Sequence, residues 1–586
     1  MRSQPSTYPV TTHKKTVFSF VERRIPVFLA FLLGLCIAVF LILPVMKSIS
    51  SSFFSDGKLN SYWFGRVIAN PILMGELGNG FLLAMATTAV SLLLSVPLSI
   101  LRAKYSFRGI GVLSILVLVP LILPPFVGAI SMKRLLGQFG VFNLVLEKIG
   151  LFDISQSLPP DWLGSGFIGV VILQSIHLFP ILYLNASAAL ANVDPAYSQA
   201  ARNLGASSVK TFLRITLPLI RPGLFAGGTI VFIWAFTDIG TPSIIGYNHL
   251  APVTIFQELA SAEINPRTYS LVFIMLSSSV TLYILGKFLF GRSLVGESTK
   301  ATTASEIRPL GFMGTCAALM LFCGVIFISV LPHIGVLFLG LADQWVNTIL
   351  PGSYTFRHLT FVVTNPDTMG SIMNSLKYAS LSTGIDIVLG SLAAWLIIRG
   401  KIYGKTLLDG LCMLPLAVPG MILAAGYVAM TASGTWLESI GPTRNPFIIL
   451  VVAYAVRRLP FVVRGVSAGL QQVPESMEEA ARNLGASTLK TGLRITLPLI
   501  SANIIAAGVL TFAFAVLEVS DSLILAQTAQ YYPITKQIYR LATSTGSPDA
   551  INQAAAMGIY GMMLLGTTMG IASLLLGKRL GMIFRA

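Results

Sequence analysis

Apolar runs about twenty residues long recur along this chain, and a helix needs roughly that length to cross a hydrocarbon core about 30 Å thick. Ile25 to Met46, Val112 to Met132 and Phe273 to Leu289 are examples. Of the 586 residues, 54% are hydrophobic and only 11% are charged, against roughly 25% charged in soluble domains. A larger soluble core does not account for the deficit, because it still needs a wetted surface. The chain reads as an all-α integral membrane protein in a lipid bilayer. Twelve candidate helices lie at about 25–46, 79–101, 111–132, 166–191, 222–245 and 269–290, then 310–331, 371–398, 408–430, 446–470, 502–525 and 553–576.

The net charge of +17 does not mark a nucleic-acid binder, since Lys and Arg are spread over short loops instead of forming one patch with interleaved aromatics. No nucleic acid is expected as a partner. Cys36, Cys316, Cys323 and Cys412 lie in or beside apolar runs without metal-ligand spacing and read as packing residues. The polar stretch through Arg24 leads into a span too long for a signal h-region. Most of the 40 Lys and Arg fall on one side if the N-terminus is cytoplasmic. Both termini are then expected inside.

An internal repeat organises the chain. Residues 199–220 read QAARNLGASSVKTFLRITLPLI and residues 479–500 read EAARNLGASTLKTGLRITLPLI, 18 of 22 identical at an offset of 280. Val119-Pro120-Leu121 echoes Leu414-Pro415-Leu416 more weakly. Six spans per half is an even number, so two parallel six-helix repeats follow. The expected division is a first half at 1–291, a cytoplasmic linker at 292–309 and a second half at 310–586.

Each copy of the repeat reads as two short helices broken by glycine, facing the cytoplasm. Asp194 with Pro195 suits a helix start, and Gly205 and Gly485 suit a left-handed stop. Ser207 and Ser487 can cap a second helix, expected to end near Leu217-Pro218 and Leu497-Pro498. The run Arg399 to Thr406 superficially resembles a phosphate-binding loop, but Arg399 stands where the first glycine belongs and no strand precedes it. No nucleotide site is expected in the chain.

Glu479-Ala480-Ala481, then Gly485, Ile495, Leu497 and Pro498, resembles the signature loop of binding-protein-dependent ABC importer permeases. Gln199-Ala200-Ala201, Gly205, Leu217 and Pro218 match it with one departure, glutamine in place of glutamate. The resemblance implies a type I ABC importer permease fold, with coupling loops at 194–220 and 474–500 docking on the ATPase. It further implies two copies of a separate ABC ATPase subunit carrying ATP and Mg, a substrate-binding protein, and a multi-pass location in the bacterial inner membrane. The chain itself would bind no cofactor and catalyse no reaction.

Ionisable residues inside spans invite a functional reading. Asp238 and Glu518 are equivalent at the 280 offset, and Asp521 lies one turn beyond Glu518. Arg457 and Arg458 stand where the first half has His177 and Leu178, and Arg464 follows. These side chains either line a substrate path or pair with one another, the arginines with Asp238, Glu518 or Asp386. His177, His249, His333 and His358 are scattered and show no metal-ligand spacing. Pro120, Pro124, Pro125, Pro415 and Pro419 are expected to bend the third span of each half.

Phe236-Thr237-Asp238-Ile239-Gly240-Thr241-Pro242 with Gly246 resembles fused ferric-iron importer permeases, as does Leu459 to Arg464 with Ser467 to Gln472. The resemblance implies a ferric-iron importer. A permease for phosphonates, sugar phosphates or thiamine is the alternative, and an ion-gradient-driven secondary transporter the competing class.

Overall fold

The computed structural model describes residues 13–55, 58–59, 61–151, 158–163, 166–260, 265–290, 307–400 and 402–576. The expected linker falls outside these residues except for 307–309. In the first half, α1 (Ile25–Phe53) and α2 (Pro71–Lys104) are followed by the pair α3 (Ile110–Ile122) and α4 (Pro125–Lys148), then α5 (Phe167–Ala191). A short helix α6 (Pro195–Asn203) precedes α7 (Ser208–Phe236), α8 (Gly240–Ile245), α9 (Ala251–Leu259) and α10 (Pro266–Phe290). The second half repeats the order. Its elements are α11 (Phe312–Leu341), α12 (Pro366–Ile398), the pair α13 (Lys405–Ala417) and α14 (Gly420–Met430), and α15 (Phe447–Gln472). After them come α16 (Glu475–Asn483), α17 (Thr488–Val516), α18 (Ser520–Leu525), α19 (Ile534–Thr543) and α20 (Ala550–Leu576).

Among the described residues, eight helices are long and apolar enough to cross a membrane, or ten with each bent pair counted once. Helices α15 and α20 have the length, 26 and 27 residues, but α15 spends three of its positions on Arg457, Arg458 and Arg464. The α2 and α12 starts share a device. The side chains of Asn70 and Asn365 each accept from two backbone N–H groups of the first turn, with proline at its first position.

The third spans depart further from a bend than expected. The chain turns by 93° between α3 and α4 and by 95° between α13 and α14. Leu123 and Val418, each before a proline, are forced into extended backbone. Pro124 and Pro419 then stand as N-caps at nearly the same dihedral angles, φ −55° and −58°, ψ 139° and 136°.

The expected fifth spans 222–245 and 502–525 are also corrected. The long helices stop at Phe236 and Val516, and short helices restart at Gly240 and Ser520. Asp238 Oδ1 accepts from Gly240 N at 3.0 Å and Glu518 Oε1 from Asp521 N at 3.4 Å. A carboxylate that binds a backbone N–H ahead of it competes with the helical ladder and ends the span. Asp521 is therefore across a break from Glu518, not one turn along the same helix.

The first span of each half packs on the other half. Helix α1 lies on α14, and α11 lies on α4. A Cβ on Gly426 would fall 2.2 Å from the Pro44 carbonyl oxygen, so only glycine allows this approach. Ser131, at the matching place in α4, donates from Oγ to the Pro332 carbonyl at 2.8 Å. Tyr427 donates its hydroxyl to the Phe40 carbonyl at 2.6 Å. That carbonyl lies four residues before Pro44, which has no N–H to give it. On the loop side, a parallel bridge joins Tyr105–Ser106 to Arg308–Pro309.

Candidate functional site: paired knobs and a buried ionic cluster

Both knobs form as the residues dictate. Asp194 accepts from Ala196 N at 2.8 Å, and Gly205 and Gly485 take φ of +80° and +87°. Ser207 and Ser487 cap their second helices by accepting from Lys210 N and Lys490 N, each at 3.3 Å. One expectation fails: the second helix does not end at Leu217-Pro218 or Leu497-Pro498. It continues through a π-turn, Phe212–Thr216 or Gly492–Thr496, into the membrane. The wider turn absorbs a proline that cannot donate to the preceding turn. Each knob is thereby the foot of one helix of 29 residues, about 43 Å long at 1.5 Å per residue.

The tip of each knob carries an apolar side chain that no described residue covers. Leu204 is 89% exposed and its equivalent Leu484 is 90% exposed. Gln199 and Glu479 are exposed beside Ala200 and Ala480, while Ala201 and Ala481 turn inward.

The second knob is tied to the bundle by Arg399 and Glu478, neither singled out from the sequence. Arg399 Nε lies 3.2 Å from Glu478 Oε1, and its Nη1 lies 3.4 Å from Glu475 Oε1. Arg399 Nη2 donates to the Leu470 and Val473 carbonyls at 2.9 and 2.6 Å, satisfying the C-terminal end of α15. Thr496 Oγ1 donates to Glu478 Oε1 at 3.0 Å. The usable signal was the repeat itself, since Glu478 stands opposite Ser198.

Within the bundle, the structure gathers four of the residues expected along the path. Arg457 Nη1 lies 2.6 Å from Glu518 Oε1 and 3.2 Å from Asp521 Oδ2, and Arg458 pairs with the other oxygen of Glu518. Arg458 Nη2 also donates to the Phe514 carbonyl at 3.1 Å. Glu518 and Asp521 are buried, and Asp386 on α12 is within electrostatic reach of Arg458. Arg464 lies apart, 3.4 Å from Asp409.

The first half is built differently. Asp238 is half-buried and accepts from Gln174 Nε2 at 3.0 Å, and Gln174 Oε1 accepts from Thr87 at 3.3 Å. No ion pair to Asp238 exists among the described residues. His177 does not join it; its Nδ1 lies 2.9 Å from the Pro120 carbonyl, and it shares a small cavity with His333. Asp238 and Glu518 are thus not a free symmetric pair. No group of three metal-ligating side chains is assembled among the described residues.

Two further contacts went unread in the sequence. Trp234 and Phe514, equivalent at the offset of 280, meet edge to face at 6.4 Å, so the pseudo-twofold axis passes between α7 and α17 close to Asp238 and Glu518. Arg457 also rests on the break of the third span. A Cβ on Gly420 would lie 2.1 Å from Arg457 Nη1. Gly420→Ala is therefore expected to swing the guanidinium off Glu518 and Asp521, costing about 1–3 kcal/mol. A lower thermal midpoint of the purified protein would register this; an unchanged midpoint would mean Arg457 is not held there.

A helical membrane bundle with two matched halves, each presenting a knob at the foot of its fifth span, is the architecture of a transport permease. The family model described as binding-protein-dependent transport system inner membrane component matches residues 95–348 and 386–582, and the chain belongs to that family. It is the permease of an ABC importer, a multi-pass inner-membrane protein and not an enzyme. Membership implies an ATPase and a substrate-binding protein as partners.

A putative ferric transport system permease protein FbpB 1 of Haemophilus influenzae is 27% identical over 494 residues, 83% of this chain and 76% of that protein. The ferric transport system permease protein FbpB of Actinobacillus pleuropneumoniae is 26% identical, over 83% of this chain and 69% of its own length. A probable ABC transporter permease protein, y4fN of Sinorhizobium fredii, is 22% identical over 93% of this chain and 95% of its own. Among solved structures, a bacterial ABC transporter involved in the import of the acidic polysaccharide alginate matches 44% of this chain and 94% of its own, at 21% identity and a TM-score of 0.36.

Proposed function

We propose that this chain forms the whole membrane pathway of a ferric-iron importer, with one ATPase subunit seated on each knob and both termini in the cytoplasm. The observation that carries the coupling is mechanical. Each exposed leucine tip belongs to a knob continuous with a 29-residue helix, which ends where Trp234 meets Phe514 and beside Asp238 or Glu518. A push on the knob passes the glycine turn and then reaches the closure of the path through a single helix. Closure of two ATPases on ATP moves both knobs, and the halves rock to open the path first to the binding protein and then inward.

Ferric iron as cargo rests on the named relatives and on the charges in the bundle. Arg457 and Arg458 are committed to Glu518 and Asp521, so neither stands free to favour an anionic substrate. Asp238, half-buried on the other side of the axis, keeps a carboxylate available to a passing cation.

The test is uptake of labelled ferric iron into vesicles carrying this chain, its ATPase and its binding protein. Accumulation that requires ATP, is competed by unlabelled iron and ignores phosphonates and thiamine is the expected result. Uptake without ATP that collapses with the proton gradient would instead assign the chain to secondary transport.

A further inference from the structure

The two knobs are near-identical in sequence but not in how they are neutralised, and the difference leaves a cavity. In the second half the space between knob and bundle is filled by the Glu478 carboxylate, which accepts from Thr496 and pairs with Arg399. In the first half Ser198 stands in place of Glu478, and the corresponding space is an open cavity of about 180 Å³. Lys104, Arg202 and Arg308 line it together with Ser198, Gln199 and Thr216, and no described residue in its wall is acidic.

Thr216 is 1% exposed, and its hydroxyl has no hydrogen-bond partner among the described residues, whereas its equivalent Thr496 donates to Glu478. The Arg202 Nε is likewise buried without a partner. A buried hydroxyl and a guanidinium N–H left without acceptors cost free energy, and the second half records what relieves them: Thr496 meets the Glu478 carboxylate, an anionic oxygen, and Arg482 Nε donates to the Glu478 backbone carbonyl at 3.4 Å. We propose that this cavity is a binding site for a phosphate-class oxyanion, which takes the place of the missing Glu478 carboxylate and ties the first knob to the cytoplasmic end of α2. The tetrahedral group suits the site better than a carboxylate, because its oxygens can accept from Thr216, Ser198, Arg202 and Lys104 at once. The source is either free phosphate or the headgroup of an anionic lipid, since the cavity lies where α2, α5 and α7 leave the membrane. The proposal concerns binding alone and stands whether or not the cargo is iron.

The experiment is a thermal-midpoint titration of the full chain in phosphatidylcholine nanodiscs, with sodium phosphate added at ionic strength held constant by chloride. A saturable rise is expected for the wild type and none for Ser198→Glu, which supplies the second half's own carboxylate. Lys104→Gln, which leaves the cavity open, is expected to weaken the response about tenfold, as loss of one charge-assisted hydrogen bond does. In a second arm, phosphatidylglycerol nanodiscs without phosphate are compared. A higher midpoint there, absent in Ser198→Glu and no longer raised by phosphate, assigns the site to the lipid headgroup. The same rise in wild type and Ser198→Glu, or no rise in either arm, overturns the proposal.

Discussion

Glu518→Ala is expected to give a protein that is inserted but markedly less stable, by about 3–5 kcal/mol, the range for removing one partner of a buried ion pair. Glu518 is the carboxylate that both Arg457 and Arg458 use, so its loss leaves one guanidinium without an anion and the other with only Asp521. The restored shape is expected to matter more than the restored charge. Arg457→Met and Arg458→Met together with Glu518→Met and Asp521→Leu is expected to recover most of the melting temperature, since apolar replacement of a whole buried ionic group is often neutral or stabilising. The thermal midpoint of the detergent-solubilised protein decides it. A single Glu518→Ala variant that melts with the wild type would mean that water or a rearranged Asp386 neutralises the arginines.

The second large effect is expected at the knobs. Gly485 has φ of +87°, a conformation that costs a residue with a Cβ about 1–2 kcal/mol. Gly485→Val is expected to pull the Leu484 tip out of line and lower ATP-driven uptake on the order of tenfold. Docking of the binding protein outside the membrane is expected to be unchanged. Gly485→Asn, which tolerates the left-handed region, is expected to keep most of the uptake. Uptake and ATPase stimulation measured side by side test this; if valine and asparagine behave alike, backbone conformation at the knob is not what couples. Gly205→Val, at φ +80°, is expected to repeat the loss in the first half.

These two sites differ in how symmetric the halves are. The knobs are alike in backbone, in the serine caps of their second helices and in their glycine stops, although Asp194 caps the first helix of one and Pro474 stands at that place in the other. The membrane-embedded polar residues diverge: Gln174 supports Asp238 in one half, while Arg457 and Arg458 clamp Glu518 in the other. Two halves fused in one chain are free to diverge wherever the contact is internal, while under the proposed function the face offered to a repeated partner holds both copies to one shape.

The sequence by itself determined the membrane class, the two parallel repeats and the knobs. Each rests on chemistry local in the chain: apolar length, charge placement, an N-cap, and a glycine at positive φ. The same locality misjudged the ends of elements. Apolar sequence flanks Asp238 and Glu518 on both sides and reads as one unbroken span, although a carboxylate capping the next helix ends each of them. Only the tertiary structure decided which intramembrane charges meet. Arg457 and Glu518 lie 61 positions apart, and nothing local distinguishes that pairing from one with Asp238 or Asp386. It decided as well that α1 and α11 exchange places between halves, where Pro44 seats on Gly426. Pairing and exchange depend on which surfaces a folded bundle brings within a few ångströms, a property of the packed whole that no window along the chain contains.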